Sequence, residues 1–325
     1  MKTTMQTPAD CAAADISSEA DTLLRGIIQG NYHCGGLKCV RLFRVDEQFF
    51  AALVEEVKAL VQKYTPSAVK AKDHVTNWTN PYGTAVQFSL LNESGKFDDY
   101  STDHNRTRRG KRFHRADEFP SLARFIDTFP HAYNMRLNGM GKKSGLSPHE
   151  EHVVSLASDN SHVQVRARFH LPIATNPGAE MLLDGELFHF EAGSIFFFNN
   201  GCIHSATNSG EMFRYHFVWD TLLDHDAYNE MFVCSAPEAS FLQRVRGDET
   251  VCRPLRQLRI GAYAISGEGK RLYDRLKLKY LLIKPHWWQN LYNRREFRQI
   301  SNLPVRWWES ATADANQMYG HDVRD

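Results

Sequence analysis

The chain of 325 residues has no uninterrupted apolar run of about 18 residues, the length that a membrane-spanning helix requires. It also lacks internal repeats, low-complexity tracts and any excess of charge: 39 basic side chains face 38 acidic ones, for a net charge of +1. That balance gives no whole-chain attraction to nucleic acid or to an anionic membrane surface. Cysteine is sparse, with Cys11, Cys34, Cys39, Cys202, Cys234 and Cys252 forming no CxxC pair. Such spacing excludes a dense disulfide framework and suits a reducing compartment. Cys34 and Cys39 have no second pair with which to complete a metal site. Residues 1–22 carry no apolar stretch behind a basic start, so they read as a flexible N-terminus rather than a secretion signal, and the expected location is cytoplasmic.

What is present is a globular composition, 42% hydrophobic, on a chain long enough to bury a sizeable core. Its middle, from His149 to His216, alternates apolar and polar residues with the period of two that places successive strand side chains on opposite faces. His149 and Glu151 then share one face, while Glu150 and His152 share the other. A third candidate, His204, follows the apolar run Ile195 to Phe198 and a turn at Asn200-Gly201. Two imidazoles and a carboxylate that leave other coordination positions open form the donor set that suits non-haem Fe(II). The zinc-protease HExxH motif is a poor match, because it needs histidines four apart on a helix. Here His149 and His152 stand three apart, between Pro148 and the β-rich Val153-Val154.

The arginines add to this pattern. On a strand from Met212 to Leu222, Arg214, His216 and Val218 face one way, and Phe213, Tyr215, Phe217 and Trp219 the other. Across His162 to Leu171, Gln164, Arg166, Arg168 and His170 likewise oppose Val163, Val165, Ala167, Phe169 and Leu171. If both polar faces line one barrel interior, several cations converge there, and burying them calls for an anion. Arg166 shares the parity of Arg168 but is expected beyond the barrel mouth. His152, His162 and His189 fall on the wrong parity or at edges, and a lone histidine is usually structural.

The residues Gly145-Leu-Ser-Pro-His149-Glu-Glu151, Arg168-Phe-His170-Leu-Pro-Ile, Gly185-Glu186, Asn199-Asn200, His204, Asn208 and Arg214-Tyr-His216 resemble the aspartyl/asparaginyl β-hydroxylase-type family of Fe(II)/2-oxoglutarate oxygenases, which includes bacterial free-amino-acid hydroxylases such as the proline cis-4-hydroxylases. The close match spans roughly residues 132–222. The resemblance implies a mainly β fold, a double-stranded β-helix or cupin-like jelly roll. It implies iron ligands at His149, Glu151 and His204, and 2-oxoglutarate held by Arg214 with Arg168, His170 and His216 nearby. It also implies a substrate carboxylate at Arg136, dioxygen as co-substrate and ascorbate as reductant in vitro. The family usually carries Asp, or in some members Gly, where this chain has Glu151, whose side chain is one methylene longer. The implied reaction is hydroxylation of an unactivated C–H of an amino acid or amino-acid derivative, with release of succinate and CO2. A peptide or lipid-linked substrate is the alternative within the same chemistry. A non-catalytic cupin-like binding module would need no chelating triad, and a halogenase would need the acid position vacated.

Around this core, Leu37 to Val45 reads as a strand, and Asp46 as the N-cap of a helix whose buried face is Phe49, Phe50, Leu53, Val54, Val57, Leu60 and Val61. Residues 93–113 read as a polar loop, Phe119 to Phe129 as a helix, Ala132 to Gly139 as the first barrel strand and Gly141 to Ser147 as a loop. The turn residues Asn176-Pro177-Gly178, Asp184-Gly185, Asn200-Gly201 and Asn208-Ser209-Gly210 separate the later strands. The expected division is a β-helix domain with supporting N-terminal helices over 23–225 and a C-terminal helical subdomain over 226–325, with helices at Ala236 to Val245, Gly269 to Leu282 and Trp287 to Phe297. Its interleaved aromatic and basic residues read as packing against the barrel, and a homodimer contact there is left open.

Overall fold

Alternation along the strands Val163–Ala174 and Arg214–Leu223 gives each an apolar face and a polar face, and two antiparallel sheets stack so that these polar faces meet a smaller apolar cluster between them. The computed structural model describes residues 38–70, 81–82, 84–99, 106–146, 148–149, 151, 154–156, 163–223, 225–233 and 239–257. The segment 1–22 and the expected helices Gly269 to Leu282 and Trp287 to Phe297 lie outside the described residues. In chain order, β1 (Cys39–Val45) leads into α1 (Glu47–Tyr64), followed by β2 (Val69–Lys70), β3 (Pro81–Tyr82), β4 (Ala85–Ser89) and α2 (Pro120–Asp127). The main strand series is β5 (Ala132–Met140), β6 (Ser144–Leu146), β7 (Val154–Leu156), β8 (Val163–Ala174) and β9 (Ala179–Leu183). It continues through β10 (Glu186–Phe188), β11 (Ser194–Phe198), β12 (His204–Asn208) and β13 (Arg214–Leu223). After α3 (His225–Tyr228) come β14 (Leu242–Arg244) and β15 (Arg256–Gln257).

The larger sheet runs β14-β1-β11-β8-β13-β5-β4-β2, with β7 also paired to β8. The smaller runs β15-β10-β9-β12-β6-β3. This mainly β arrangement of two facing antiparallel sheets is a jelly roll. The Asp184-Gly185 turn shows how sequence sets register: both residues take positive φ (44° and 84°), and Leu183 pairs with Glu186 across a two-residue hairpin.

The outer face of the larger sheet carries the main core. Phe169, Phe217 and Trp219 project from β8 and β13 against Leu53, Val57 and Leu60 of α1 and Leu122, Phe125 and Ile126 of α2. Phe125 stacks on Phe217 at 5.4 Å, and Phe129 lies 4.9 Å from the Trp219 ring. Asp46 caps α1 by accepting from the Phe49 amide, and Glu56 of α1 accepts from the Ser121 and Leu122 amides that open α2. With helices covering one face, the other is left to the site.

Two expectations are corrected. Residues 144–146, read as loop, form β6 because they pair with Thr207 and Asn208, and the Ser144 hydroxyl accepts from the Thr84 amide. The helix expected at Ala236 to Val245 is absent from its described part, where Leu242–Arg244 is a strand on the edge of β1. The Arg244 guanidinium lies 4.3 Å over the Phe43 ring and donates to the Glu230 and Met231 carbonyls, so tertiary pairing overrides a weak local helical pattern. Beyond residue 225, β14 joins the larger sheet and β15 the smaller one. Among the described residues, no helix is long and apolar enough to cross a membrane.

Asn208 ties the end of the smaller sheet together. It is fully buried and donates to the carbonyls of Met140, Gly141 and Met212, while its oxygen accepts from Asn176 and from the Gly210 amide. Asn208→Ala strands several of these buried groups, and we expect a loss of roughly 2–3 kcal/mol, read as a lower urea midpoint. An unchanged midpoint would mean that water replaces the carboxamide.

Candidate metal centre

The centre begins with backbone. His149 and His204 exchange two main-chain hydrogen bonds (2.9 and 2.7 Å), which sets their side chains directly opposite each other with ring centroids 4.2 Å apart. Two residues on, the Glu151 amide donates to the Asn200 carbonyl, which turns the glutamate back toward the same side. Ligand atoms of His149, Glu151 and His204 all lie within 4.8 Å of one another, and this is the only such cluster of histidine, cysteine and acidic residues among the described residues. His149 and His204 are buried.

The chemistry of these donors fits a divalent transition metal. His204 Nδ1 sits 2.8 Å from the Cys202 carbonyl, so the proton is held there and Nε2 is left as a lone-pair donor. Burial first, and then the neighbouring His149, hold the His204 imidazole down to about 3, which keeps it neutral. Burial alone would raise the Glu151 carboxyl, but Arg168 and Arg166, with smaller help from His204 and His149, hold it well below the usual carboxylate range.

Two arginines grip that carboxylate. Arg168 Nη1 donates to Glu151 Oε1 at 2.7 Å, and Arg166 Nη2 donates to Oε2 at 2.6 Å, where Asn200 Nδ2 also arrives at 3.2 Å. The rest of the Arg168 guanidinium faces the buried Asp220 through Nε at 2.7 Å and Nη2 at 3.1 Å, and Asp220 accepts in turn from Asn134. Despite the desolvation of Asp220, Arg168 and Arg166 keep its carboxyl ionised. Two expectations change here. Arg168, expected beside a bound carboxylate, bonds to Glu151 and Asp220, and Arg166, expected beyond the barrel mouth, reaches Glu151 as well. Asp220 was missed, although strand parity places it on the face of Arg214, His216 and Val218.

Arg214 behaves differently. It is buried, its Nη1 lies 3.4 Å from the Met181 sulfur and 3.4 Å from His216 Nε2, and its Nε has no hydrogen-bond partner among the described residues. No carboxylate reaches it among the described residues. Burial without a counter-charge pushes the guanidinium down to about 10, still cationic at neutral pH. A chain of rings connects it to the centre: His216 to His170 (Nδ1 to Nδ1, 3.5 Å), His170 to Phe198 (4.8 Å) and Phe198 to His204 (5.1 Å). Arg136 is half-buried on β5, opposite Val218, where its charge helps to lower the Asp220 carboxyl.

Residues 50–223 match the family model described as aspartyl/asparaginyl beta-hydroxylase. No curated protein matches the chain. Among solved structures, the chain is similar to the viral collagen prolyl hydroxylase from Paramecium Bursaria Chlorella virus-1 in its 2OG complex (10% identity, 55% of this chain, 94% of that one, TM-score 0.30). It is also similar to an oxidoreductase of the 2OG-Fe(II) oxygenase family from Burkholderia pseudomallei (12% identity, 53% and 89%, TM-score 0.29). A third is the Trichoplax adhaerens prolyl hydroxylase bound to a hypoxia inducible factor peptide fragment (9% identity, 64% and 94%, TM-score 0.35).

His170 and His216, together with His204, set a pH dependence in the metal-free protein. Burial, followed by Arg168 and Arg214 for His170 and by Arg214 for His216, holds both well below 6.5. The unfolded chain therefore binds protons that the folded one refuses. The stability they contribute is complete above pH 6.5 and is lost as pH falls, by up to about 1.4 kcal/mol per histidine for each pH unit. The lowered carboxyls of Glu151 and Asp220 add to the loss only below about pH 4. Urea unfolding of the metal-free protein should show a falling midpoint from pH 7 to pH 5. A flat profile would mean that these imidazoles take up protons inside the fold.

Proposed function

The chain belongs to the aspartyl/asparaginyl beta-hydroxylase family of 2-oxoglutarate-dependent dioxygenases, and on that premise we propose that it hydroxylates an unactivated C–H of an amino acid or amino-acid-derived substrate. The observation that carries the proposal is Arg214, a buried cation with no counter-ion among the described residues, on the sheet that faces His204 and its partner His149 across the interior. A site of this kind wants a ligand that is an anion at one end and a chelator at the other, as 2-oxoglutarate is.

In this reading His149, Glu151 and His204 would hold Fe(II). When bound, the iron supplies the redox chemistry by which dioxygen and 2-oxoglutarate become succinate and CO2 while one oxygen atom enters the substrate C–H. The planar guanidinium of Arg214 takes the distal carboxylate of 2-oxoglutarate. His170 and His216 stay neutral beside it, so they offer hydrogen-bonding edges without competing for the anion. Phe190, Phe196 and Phe198, with Met140 and Met181, form an apolar wall that keeps bulk water from the reacting atoms. Arg136, on the neighbouring strand, is assigned to a substrate carboxylate, which favours an amino-acid head group.

The protein supplied with Fe(II), ascorbate, oxygen and 2-oxoglutarate should form succinate slowly, and faster when a panel of amino acids and their derivatives includes the substrate. No succinate under any of these conditions would overturn the proposal. Arg214→Ala should weaken 2-oxoglutarate binding by about 10- to 100-fold, as expected for losing charge-assisted hydrogen bonds. Co(II) binding, read from its visible absorption, should be kept. Equal loss of both would make Arg214 a structural residue.

A further inference from the structure

We propose that Arg166 is a positioning residue that acts through Glu151, fixing the orientation of a carboxylate longer than an aspartate so that it completes the metal site. The inference rests on the reading of Glu151 as a ligand, and goes beyond it by assigning a role to a residue outside the ligand set.

A glutamate at this position has one more torsion than an aspartate, so its carboxylate sweeps a larger volume and must be held to face the two histidines. The surrounding groups hold it oxygen by oxygen. Arg168 takes Oε1, the oxygen 3.9 Å from His149 Nε2, while Arg166 and Asn200 take Oε2. Arg168 is locked in turn by the buried Asp220, so its contact belongs to the framework of the larger sheet. Arg166 makes no hydrogen bond to Asp220, although the two charges lie close enough to act on each other: its Nη2 ends on Glu151 Oε2, its Nε has no hydrogen-bond partner among the described residues, and its side chain is 23% exposed. With Arg168 alone the carboxylate would pivot about Oε1. The short Arg166 contact on the second oxygen, with the longer one from Asn200, stops that rotation while the carboxylate stays within 4.8 Å of the histidine nitrogens. A carboxylate has four lone-pair sites, so three donors and a metal can be accommodated together.

Partial exposure makes Arg166 open to substitution where Arg168 is not. The test is a double-mutant cycle on Co(II) affinity, with Arg166→Gln, Glu151→Asp and the pair, read by visible absorption without turnover. Arg166→Gln should weaken Co(II) binding by about 10-fold, the lower end of what loss of a ligand's supporting hydrogen bond does. In the Glu151→Asp background, where the shorter carboxylate no longer reaches the guanidinium, the same change should cost less than about 2-fold. Arg166→Lys, a point charge without the planar fork, should fall between wild type and Gln in the Glu background and have no effect in the Asp background. A loss of the same size in both backgrounds would overturn the proposal, because Arg166 would then act elsewhere. If Arg166→Gln does not fold, the Lys variants alone give the cycle. Glu151→Ala separates the two readings. Unchanged Co(II) affinity in that variant overturns the ligand assignment itself, whereas a large loss combined with an additive cycle overturns only the role of Arg166.

Discussion

The interaction on which the rest depends is the placement of Arg168 between two carboxylates, Asp220 within its own sheet and Glu151 across the interior. A guanidinium taken out of water at this depth loses several kcal/mol of hydration, and only paired anions with good geometry offset that loss. Arg168 meets the condition with three of its nitrogens, and Asp220 with donors from both Arg168 and Asn134. The pairing also fixes a distance. Because Asp220 and Arg168 face each other across β13 and β8, the reach of Arg168 toward Glu151 is set by sheet register, not by a mobile loop. The Glu151 carboxylate is therefore held beside the two histidines by the scaffold itself.

That register is rigid because of what lies behind it. Trp219, Phe217 and Phe169 share strands with Asp220, His216 and Arg168 but point the other way, into the aromatic layer beneath α1 and α2. Each strand thus couples a residue of the site to one of the core through a single peptide step. Displacing Arg168 or Asp220 along its strand would drag an aromatic ring out of close packing, where gaps are costly. On the inner side, the phenylalanines around His170 and His204 keep the dielectric low. The ionic contacts are correspondingly strong, and the imidazoles are neutral.

Period-two alternation made much of this legible in the sequence. It placed Arg168, His170, Arg214 and His216 on one face and Phe169, Phe217 and Trp219 on the other, and turn residues such as Asp184-Gly185 marked the strand ends. The proximity of His149, Glu151 and His204 was also readable, from the donor types and the family pattern. What could not be read was partnership across strands. The register that sets Asp220 opposite Arg168 is fixed by pairing between residues 52 positions apart, and the contact of Arg166 with Glu151 depends on how the His149 segment passes β8, which strand parity does not set. Arg166 looked peripheral because its position near the end of β8 said nothing about where β7 and the His149 segment would pass. Leu242–Arg244 was misread as helix for a similar reason: three residues paired to a distant edge outweigh a short amphipathic pattern.

Two inner-face arginines with nearly equal burial have opposite electrostatic settings, and that contrast gives the site its direction. Arg168 is compensated on both sides, and its guanidinium is held more firmly protonated than in water. Arg214 has a sulfur and an imidazole for neighbours, and burial alone weakens its hold on the proton. Desolvation of this kind, left unpaired, costs stability in the free protein. That stored cost is recovered when an anion arrives, which makes the binding of a carboxylate at Arg214 more favourable than it would be at a solvated arginine. Arg168 has no such reserve. An anion entering between the sheets therefore meets two unlike guanidinium groups: that of Arg168 is already held by Glu151 and Asp220, and that of Arg214 has no carboxylate beside it among the described residues.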